Sequence, residues 1–354
     1  MKKAYITGAT GAIGMALVDK LLKENVEVTV FVRPDSKRRH QFDKFFLDGY
    51  RECQENKDNE GTAFDKSSES RLLKVEKLAL NEFLDYDVTG EKITKCCSTD
   101  SNHQNNLQKS DSDNNIVFYH LAWEGTIGDG RNDVVLQQRN KEYTLHAVQL
   151  AKRLGCDVFI GAGSQAEYGR VSGVLKHDTD ARPENEYGKA KLEAGILSRQ
   201  QCKELGMRHF WVRILSVYGP YDGERTMVTS MLNKLINNEE MPLTEGIQTW
   251  DYLNSEDAAR ALYLIGNIKN MSEAVYCLGS GVERPLKEYI YDICDAAGAD
   301  RKLLKFGAVP YGDKQVMRLV ADISKLTEDT GFIPEVTFVD GIRKLVKHLK
   351  EKRQ

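Results

Sequence analysis

The first fourteen residues hold the feature that most limits what this chain can become. A short apolar run, Ala4 to Thr7, ends in Gly8-Ala9-Thr10-Gly11-Ala12-Ile13-Gly14. Helical spacing follows at once, with Ile13, Leu17 and Leu21 on one face of Ala12 to Glu24. Val26 to Val32 is then a β-branched run suited to a second strand. Strand, glycine turn, helix and strand make a β-α-β unit, and its right-handed crossover sets the two strands parallel. Glycines at such a turn let the backbone approach a pyrophosphate, and the helix start offers free N–H groups and the positive end of its dipole. Gly8, Thr10, Gly11, Ala12, Ile13 and Gly14 are therefore the expected dinucleotide-binding residues, with G-x-x-G-x-x-G spacing rather than the commoner G-x-G-x-x-G.

The end of the second strand bears on which dinucleotide binds. A carboxylate there bonds the ribose 2′-hydroxyl of NAD, whereas an arginine accommodates the 2′-phosphate of NADP. Here the strand ends in Arg33, no carboxylate precedes Asp35, and Lys37, Arg38 and Arg39 follow. This favours NADP(H); a plain basic surface loop would read the same way, so NAD stays possible.

From Asp35 to Asn115 the pattern weakens. Residues 51–70 and 98–115 are too polar to offset the entropy of ordering and read as surface insertions, with a strand and short helix between them over Leu72 to Leu84. Strands resume at Ile116 to Leu121, Asp157 to Ile160 and His209 to Leu215, alternating with helices at Val134 to Leu154 and Glu186 to Leu205. Further on come a helix over Met227 to Ile236, a strand near Thr249 to Leu253, a helix over Glu256 to Ile265 and a final amphipathic helix. This is an α/β chain with a doubly wound parallel Rossmann sheet. Residues 1–180 form the dinucleotide-binding domain. Residues 181–354 are mainly a smaller substrate-binding lobe, with 186–220 returning a helix and a strand to the sheet.

With 354 residues, there is length for both parts. Fifty basic against 53 acidic residues leave no electrostatic footprint for nucleic acid or an anionic membrane surface. No apolar run nears the ~20 residues needed to span a bilayer, and the apolar start is too short and too glycine-broken for a signal peptide. Seven cysteines, an odd number without C-x-x-C spacing, point to free thiols in a reducing cytoplasm. No cluster of histidines or cysteines suggests a metal site; His120, at a strand end, is expected to pack or to bond backbone.

Tyr187 and Lys191 stand four apart on a helix, hence on one face. An adjacent ammonium favours the ionised phenol, and such a pair can pass a proton to or from a carbinol while hydride moves to or from a nicotinamide. Fifteen tyrosines and 30 lysines predict about 1.3 such pairs by chance, and one is present, so its weight comes from position. It follows the glycine turn and a loop, Gly161 to Gly169, that carries Ser164 at the carboxyl end of a strand. Ser164 is placed to hydrogen-bond a reacting oxygen.

Taken in order, these marks resemble the extended short-chain dehydrogenase/reductases of the nucleotide-sugar epimerase/dehydratase type. To the residues above they add His120-Leu121-Ala122, Asn140, Tyr168-Gly169, Arg213 before Tyr218-Gly219-Pro220, Asp251-Tyr252 before Asp257, and Arg318 before Asp322. The resemblance implies Tyr187 as acid/base, Lys191 orienting cofactor ribose and lowering the tyrosine pKa, Ser164 assisting, and Asn140 supporting a proton relay. It places Leu121 and Ala122 beside the cofactor, and Ser164, Ser216, Gln248 and Arg318 against a nucleoside diphosphate sugar. It also implies a homodimer through the helices beginning near Val134 and Glu186.

Departures narrow the reaction. The family's dehydratases carry Asp-Glu after the serine or threonine, where this chain has Gln165-Ala166; the GDP-fucose synthase type has a cysteine where Ala166 stands. Trp250 replaces a phosphate-binding arginine and Ser216 a substrate-contacting asparagine. The stretches Gly246 to Asp257, Gly279 to Gly281 and Phe306 to Lys325 look most like CDP-paratose and CDP-abequose synthases. The expectation is an NADPH-dependent reductase of a 4-keto-6-deoxy sugar nucleotide. A 4-epimerase holding NAD, or a non-catalytic dinucleotide sensor, are the alternatives.

Overall fold

The computed structural model describes residues 1–45, 72–88, 115–313 and 315–353. Seven parallel strands form the main sheet: β1 (Lys3–Thr7), β2 (Glu27–Val32), β3 (Leu73–Lys77), β4 (Ile116–His120), β5 (Val158–Ser164), β6 (Arg208–Ile214) and β7 (Glu273–Leu278). Their spatial order is β7-β6-β5-β4-β1-β2-β3. Chain direction across the sheet reverses between β1 and β4, and a crevice opens there at the carboxyl edge.

Alternation along the strands fills two cores. Ala4, Ile6, Val117, Tyr119, Val158 and Ile160 point to the face covered by α1 (Ala12–Lys23) and α5 (Ser255–Gly266). Tyr5, Phe31, Phe118 and Phe159 point to the other face, under α2 (Val134–Arg153) and α3 (Glu186–Glu204). On that face the rings continue into β6: Phe118, Phe159, His209 and Trp211 stack in sequence, their centroids 5.8 to 6.1 Å apart. A third core joins α4 (Met227–Ile236), α6 (Leu286–Ala297) and α8 (Phe338–Glu351) in the C-terminal lobe.

The structure departs from the sequence reading in three places. Gly161-Ala162-Gly163 is the end of β5 and not a loop; a Cβ on Gly163 would stand 2.5 Å from Trp211 Nε1, so the indole occupies the space that ordinary strand side chains would fill. The expected strand near Thr249 is two short pieces, Thr249–Trp250 and Tyr252–Asn254, belonging to different small sheets. Between them the buried Asp251 carboxylate accepts from Ser280 N–H and Oγ–H, Gly281 N–H and Ala321 N–H, which pins the chain where it changes sheet. Finally, the main sheet takes back chain well beyond residue 220, since β7 pairs parallel with β6 and α5 packs on α1. The expected insertion of 51–70 lies outside the described residues, as does that of 98–115 apart from Asn115.

Candidate active site

Each arm of the site starts at the carboxyl end of a sheet strand. At the end of β1, Gly8 has a positive φ of 72°, and a Cβ there would meet Ala122 N at 2.6 Å, which wedges the glycine turn against the chain leaving β4. Gly11 caps α1 with no side-chain hydrogen bond and no acid lies in the first turn, so that helix start keeps its free donors and uncompensated dipole. A cleft of about 960 Å³ opens in front, lined by the Thr7 to Ala12 turn, Arg33, Lys37 and Arg38, Leu121 to Ile127, and Tyr221 to Gly223. Ile13 and Gly14 line a smaller hollow beside it, with Gly8, Gly11 and Ala162. An anion-accepting turn shares this cleft with Arg33, Lys37, Arg38 and Arg225, alongside Asp35 and Glu124, which fits a dinucleotide phosphate group.

Arg33 does not stand alone. Its Nη1 donates to Glu124 Oε1 at 3.1 Å, and Arg139 Nη2 approaches the other oxygen at 3.5 Å. Asn140 clamps the same residue through the backbone: Glu124 N–H donates to Asn140 Oδ1 at 3.0 Å, and Asn140 Nδ2 donates to Glu124 C=O at 2.9 Å. The side chain expected to support a proton relay therefore holds the cleft wall.

The same helix turn is tied to the sheet. Thr7 and His120 sit opposite each other in the β1–β4 register, with Thr7 Oγ1 3.0 Å from His120 Nδ1. His120 Nε2 lies 3.2 Å from Thr144 Oγ1, which donates to the Asn140 carbonyl at 3.0 Å. Burial pushes the His120 pKa down to about 3, so the imidazole is neutral and serves as a bridge between hydroxyls instead of bonding backbone.

On α3, Asn185 caps the helix by accepting from Gly188 N–H at 2.8 Å, so the helix starts one residue before Tyr187, and Tyr187 and Lys191 are both buried. Tyr187 is 7% exposed, and the neighbouring Ser164 acts to lower its pKa. Two groups not singled out from the sequence frame the phenol. Trp123 meets its ring edge-on at 6.2 Å, and the Arg131 guanidinium lies 4.4 Å from its centroid. Lys191 is directed elsewhere: Nζ donates to the Ala162 carbonyl at 2.6 Å and sits 3.7 Å from the Trp123 ring centroid. Burial pushes the lysine down to about 7.

The expected lowering of the Tyr187 pKa by Lys191 is not what this arrangement produces. Burial raises the phenol above 10, while Ser164 and then Arg131 pull it down. The reason is geometric, since the ammonium is 6.0 Å from the ring centroid and solvated by a carbonyl and an indole face.

Beneath Ser164 lies a buried carboxylate that the sequence did not flag. Glu167 Oε1 accepts from Ser164 N–H at 2.8 Å and from Trp211 Nε1 at 3.0 Å, and Oε2 pairs with Arg213 Nε at 2.7 Å. This fixes the serine at the end of β5. A polar residue three positions after Ser164, beside Arg213 in the adjacent strand, was the available signal.

Across from this wall, the residues expected to grip substrate gather on the C-terminal lobe. Trp250 Nε1 donates to Ser216 Oγ at 2.8 Å, and Thr249–Trp250 pairs in parallel with Arg318–Leu319. Arg318 Nη2 donates to Glu283 Oε2 at 2.6 Å, while its buried Nε has no partner in the protein. Gln248 Oε1 accepts from the Tyr311 hydroxyl at 2.7 Å. Ser216 and Arg318 thus sit in two different small sheets joined through Trp250, and Gln248 precedes the strand Thr249–Trp250. Among the described residues no group of three or more His, Cys, Asp or Glu is arranged to hold a metal, and no helix is long and apolar enough to cross a membrane.

A glycine turn at the β1–β4 crevice and a Tyr-Lys helix beside it define an oxidoreductase-type dinucleotide fold. The chain belongs to the NAD dependent epimerase/dehydratase family, whose model matches residues 4–279, and so to the extended short-chain dehydrogenase/reductase enzymes. It is 27% identical to the dTDP-4-dehydro-6-deoxyglucose reductase of Escherichia coli over 204 residues, 55% of this chain and 62% of that protein. It is 22% identical to a putative UDP-glucose 4-epimerase of Methanocaldococcus jannaschii over 98% of this chain and 97% of the other. The chain spans about half to three fifths of the length of the first of its curated relatives. Its fold matches DesIV, a dTDP-glucose 4,6-dehydratase from Streptomyces venezuelae with NAD and TYD bound, at a TM-score of 0.76 and 19% identity, over 99% of this chain and 98% of that one.

Proposed function

We propose that this chain reduces a keto group, at C4 of a nucleotide-linked 4-keto-6-deoxy sugar, with NADPH. The observation that carries the reading is the buried Ser164–Tyr187 hydroxyl pair beside a cleft whose wall holds Arg33, Lys37 and Arg38. The cofactor, when bound, supplies the hydride. Tyr187 donates its proton to the carbonyl oxygen as that oxygen becomes a hydroxyl, and Ser164 holds the same oxygen in line. Burial keeps Tyr187 protonated near neutral pH, the form a reductase needs at the start of its step. Lys191, with its pKa brought near neutrality, is suited to resupply the proton or to turn toward cofactor ribose. Glycine-turn residues Gly8 to Gly14 would hold the pyrophosphate, and Leu121 and Ala122 the adjoining cofactor face. Dehydratase chemistry is disfavoured because Ala166 is buried, donates its N–H to Ser164 Oγ, and offers no acid or base.

On the lobe, Ser216, Gln248 and Arg318 would position the sugar nucleotide, with the unpartnered Arg318 Nε as a diphosphate donor. A second copy of the chain would cover α2 and α3, which are bridged by Lys141–Glu193 and leave Val134, Val135, Ile196 and Leu197 exposed. The enzyme would work in a reducing cytoplasm, in keeping with the free buried thiols of Cys202, Cys277 and Cys294.

One observation favours a second reading, a 4-epimerase that retains NAD. Glu124 brings a carboxylate to Arg33, at the end of the cleft where an acid would accept the ribose hydroxyls of NAD. Analysis of nucleotides released from the denatured protein, followed by titration of stripped protein with NADPH and NADH, separates the two. The reductase reading expects an empty site that prefers NADPH. Stoichiometric retained NAD would overturn it in favour of the epimerase.

A further inference from the structure

A second cavity, of about 410 Å³, lies behind the cofactor cleft between the Arg39–Phe42 turn, α4 and α8. Arg38, His348, Lys352 and Arg353 contribute positive or protonatable groups to its wall. Two acids share the wall and offset part of this charge, Asp222 toward Arg38 and Glu224 toward Lys352. Asp222 turns to its own loop, accepting from Gly223 N–H and Thr226 Oγ–H at 2.8 Å each, and Glu224 is exposed. Arg353 is held by neutral acceptors, Asn237 Oδ1 at 2.8 Å and Asn233 Oδ1 at 3.1 Å, so it is positioned while its charge stays available.

The cations crowd one another. Lys352 and Lys44 each lie 5.0 Å from the centroid of Tyr221, whose backbone is left-handed with φ 67°, and His348 meets the same ring at 4.8 Å. Lys352 is pushed below its ordinary pKa by burial and then by Arg38, and His348 by burial and then by Lys352 and Lys44. Thr229 Oγ1 and His348 Nε2, both from residues in this wall and both able to donate to an anion, have no hydrogen-bond partner in the protein. Gathered like charge with spare polar groups is stable only at a cost that a bound anion would relieve.

We propose that this cavity binds the phosphoryl group of a small phosphorylated molecule, at a site separate from the cofactor cleft. Arg38, Tyr221 and Asp222 line both spaces, so the two sites adjoin, and His348, Lys352 and Arg353 are the groups that belong to this cavity and not to the cofactor cleft. The inference does not depend on which sugar the enzyme turns over.

The test is calorimetric titration of the full chain with inorganic pyrophosphate, comparing wild type with the double variant Lys352→Ala/Arg353→Ala. Neither residue lines the cofactor cleft, and both are exposed and follow the end of α8, so a thermal melt should show the variant folded. The expected result is a pyrophosphate site in wild type that weakens by about tenfold or more in the variant, with NADH affinity unchanged. Pyrophosphate bound equally by both proteins would place it at the glycine turn and overturn the proposal, as would no binding at all. Competition by NADPH but not NADH would make the cavity the cofactor's own 2′-phosphate subsite and equally overturn a separate site.

Discussion

On the sheet side of the active site, Glu167 and Arg213 pair at 2.7 Å with side chains 0% and 10% exposed; on the lobe side, Glu283 and Arg318 pair at 2.6 Å at 38% and 35%. The distances are nearly equal and the physics is not. Glu167 also holds Ser164 and Trp211, in a dry environment where a lost partner leaves an uncompensated charge. Glu283 is exposed, and Arg318 can exchange it for another anion at little cost. The wall that positions the reacting groups is therefore over-determined, and the wall that selects a substrate is exchangeable.

The comparison breaks first at Tyr187. Tyr187→Phe should lower turnover by about 10² to 10⁴-fold while NADPH and NADH affinities change less than twofold, read by steady-state rates and fluorescence titration. Retained turnover would remove the tyrosine from the chemistry. Next comes the buried pair itself. Glu167→Ala should cost about 3 to 5 kcal/mol in urea unfolding, whereas Glu283→Ala should cost less than about 1 kcal/mol. Equal costs would mean the two walls are built alike.

Acid should then weaken the sheet side selectively. His120 and His209 are both pushed from 6.5 to about 3 by burial, so between those values the unfolded chain binds protons that the folded chain refuses. Their contribution is complete above pH 6.5 and is lost as pH falls toward 3, by up to about 1.4 kcal/mol per pH unit for each. Urea midpoints measured from pH 7.5 to 5.0 should show this slope, and His209→Phe should remove about half of it. The smallest effect is expected at the exposed Glu124–Arg33 pair. Glu124→Gln should raise the NADPH-to-NADH affinity ratio by about three- to fivefold, the scale of a surface ion pair, and no change would mean Arg33 does not read the ribose.

How much of this was legible in the sequence depended on the range of the interaction. The glycine turn, the parallel sheet and the Tyr187–Lys191 spacing were readable because local periodicity and turn chemistry specify them within a few residues. Trp123, Arg131 and Glu124 were passed over because they follow β4 in an irregular stretch with no period. They gain meaning only from what α2 and α3 bring against them. The membership of β7 in the main sheet was hidden for a related reason: a parallel edge strand arriving from a distant part of the chain carries no mark of its partner.

The sequence by itself determined the class of this protein: a β-α-β dinucleotide unit, a helix with Tyr187 and Lys191 on one face, and Gln165-Ala166 in place of an Asp-Glu pair directly after Ser164. Only the tertiary structure decided the protonation of the site. Whether Lys191 acts on Tyr187 depends on a distance and a shared carbonyl, whether His120 is charged depends on burial, and Arg33 gains its carboxylate partner from residue 124. Charge–charge terms and desolvation fall off with separation in space, and separation along the chain does not report it.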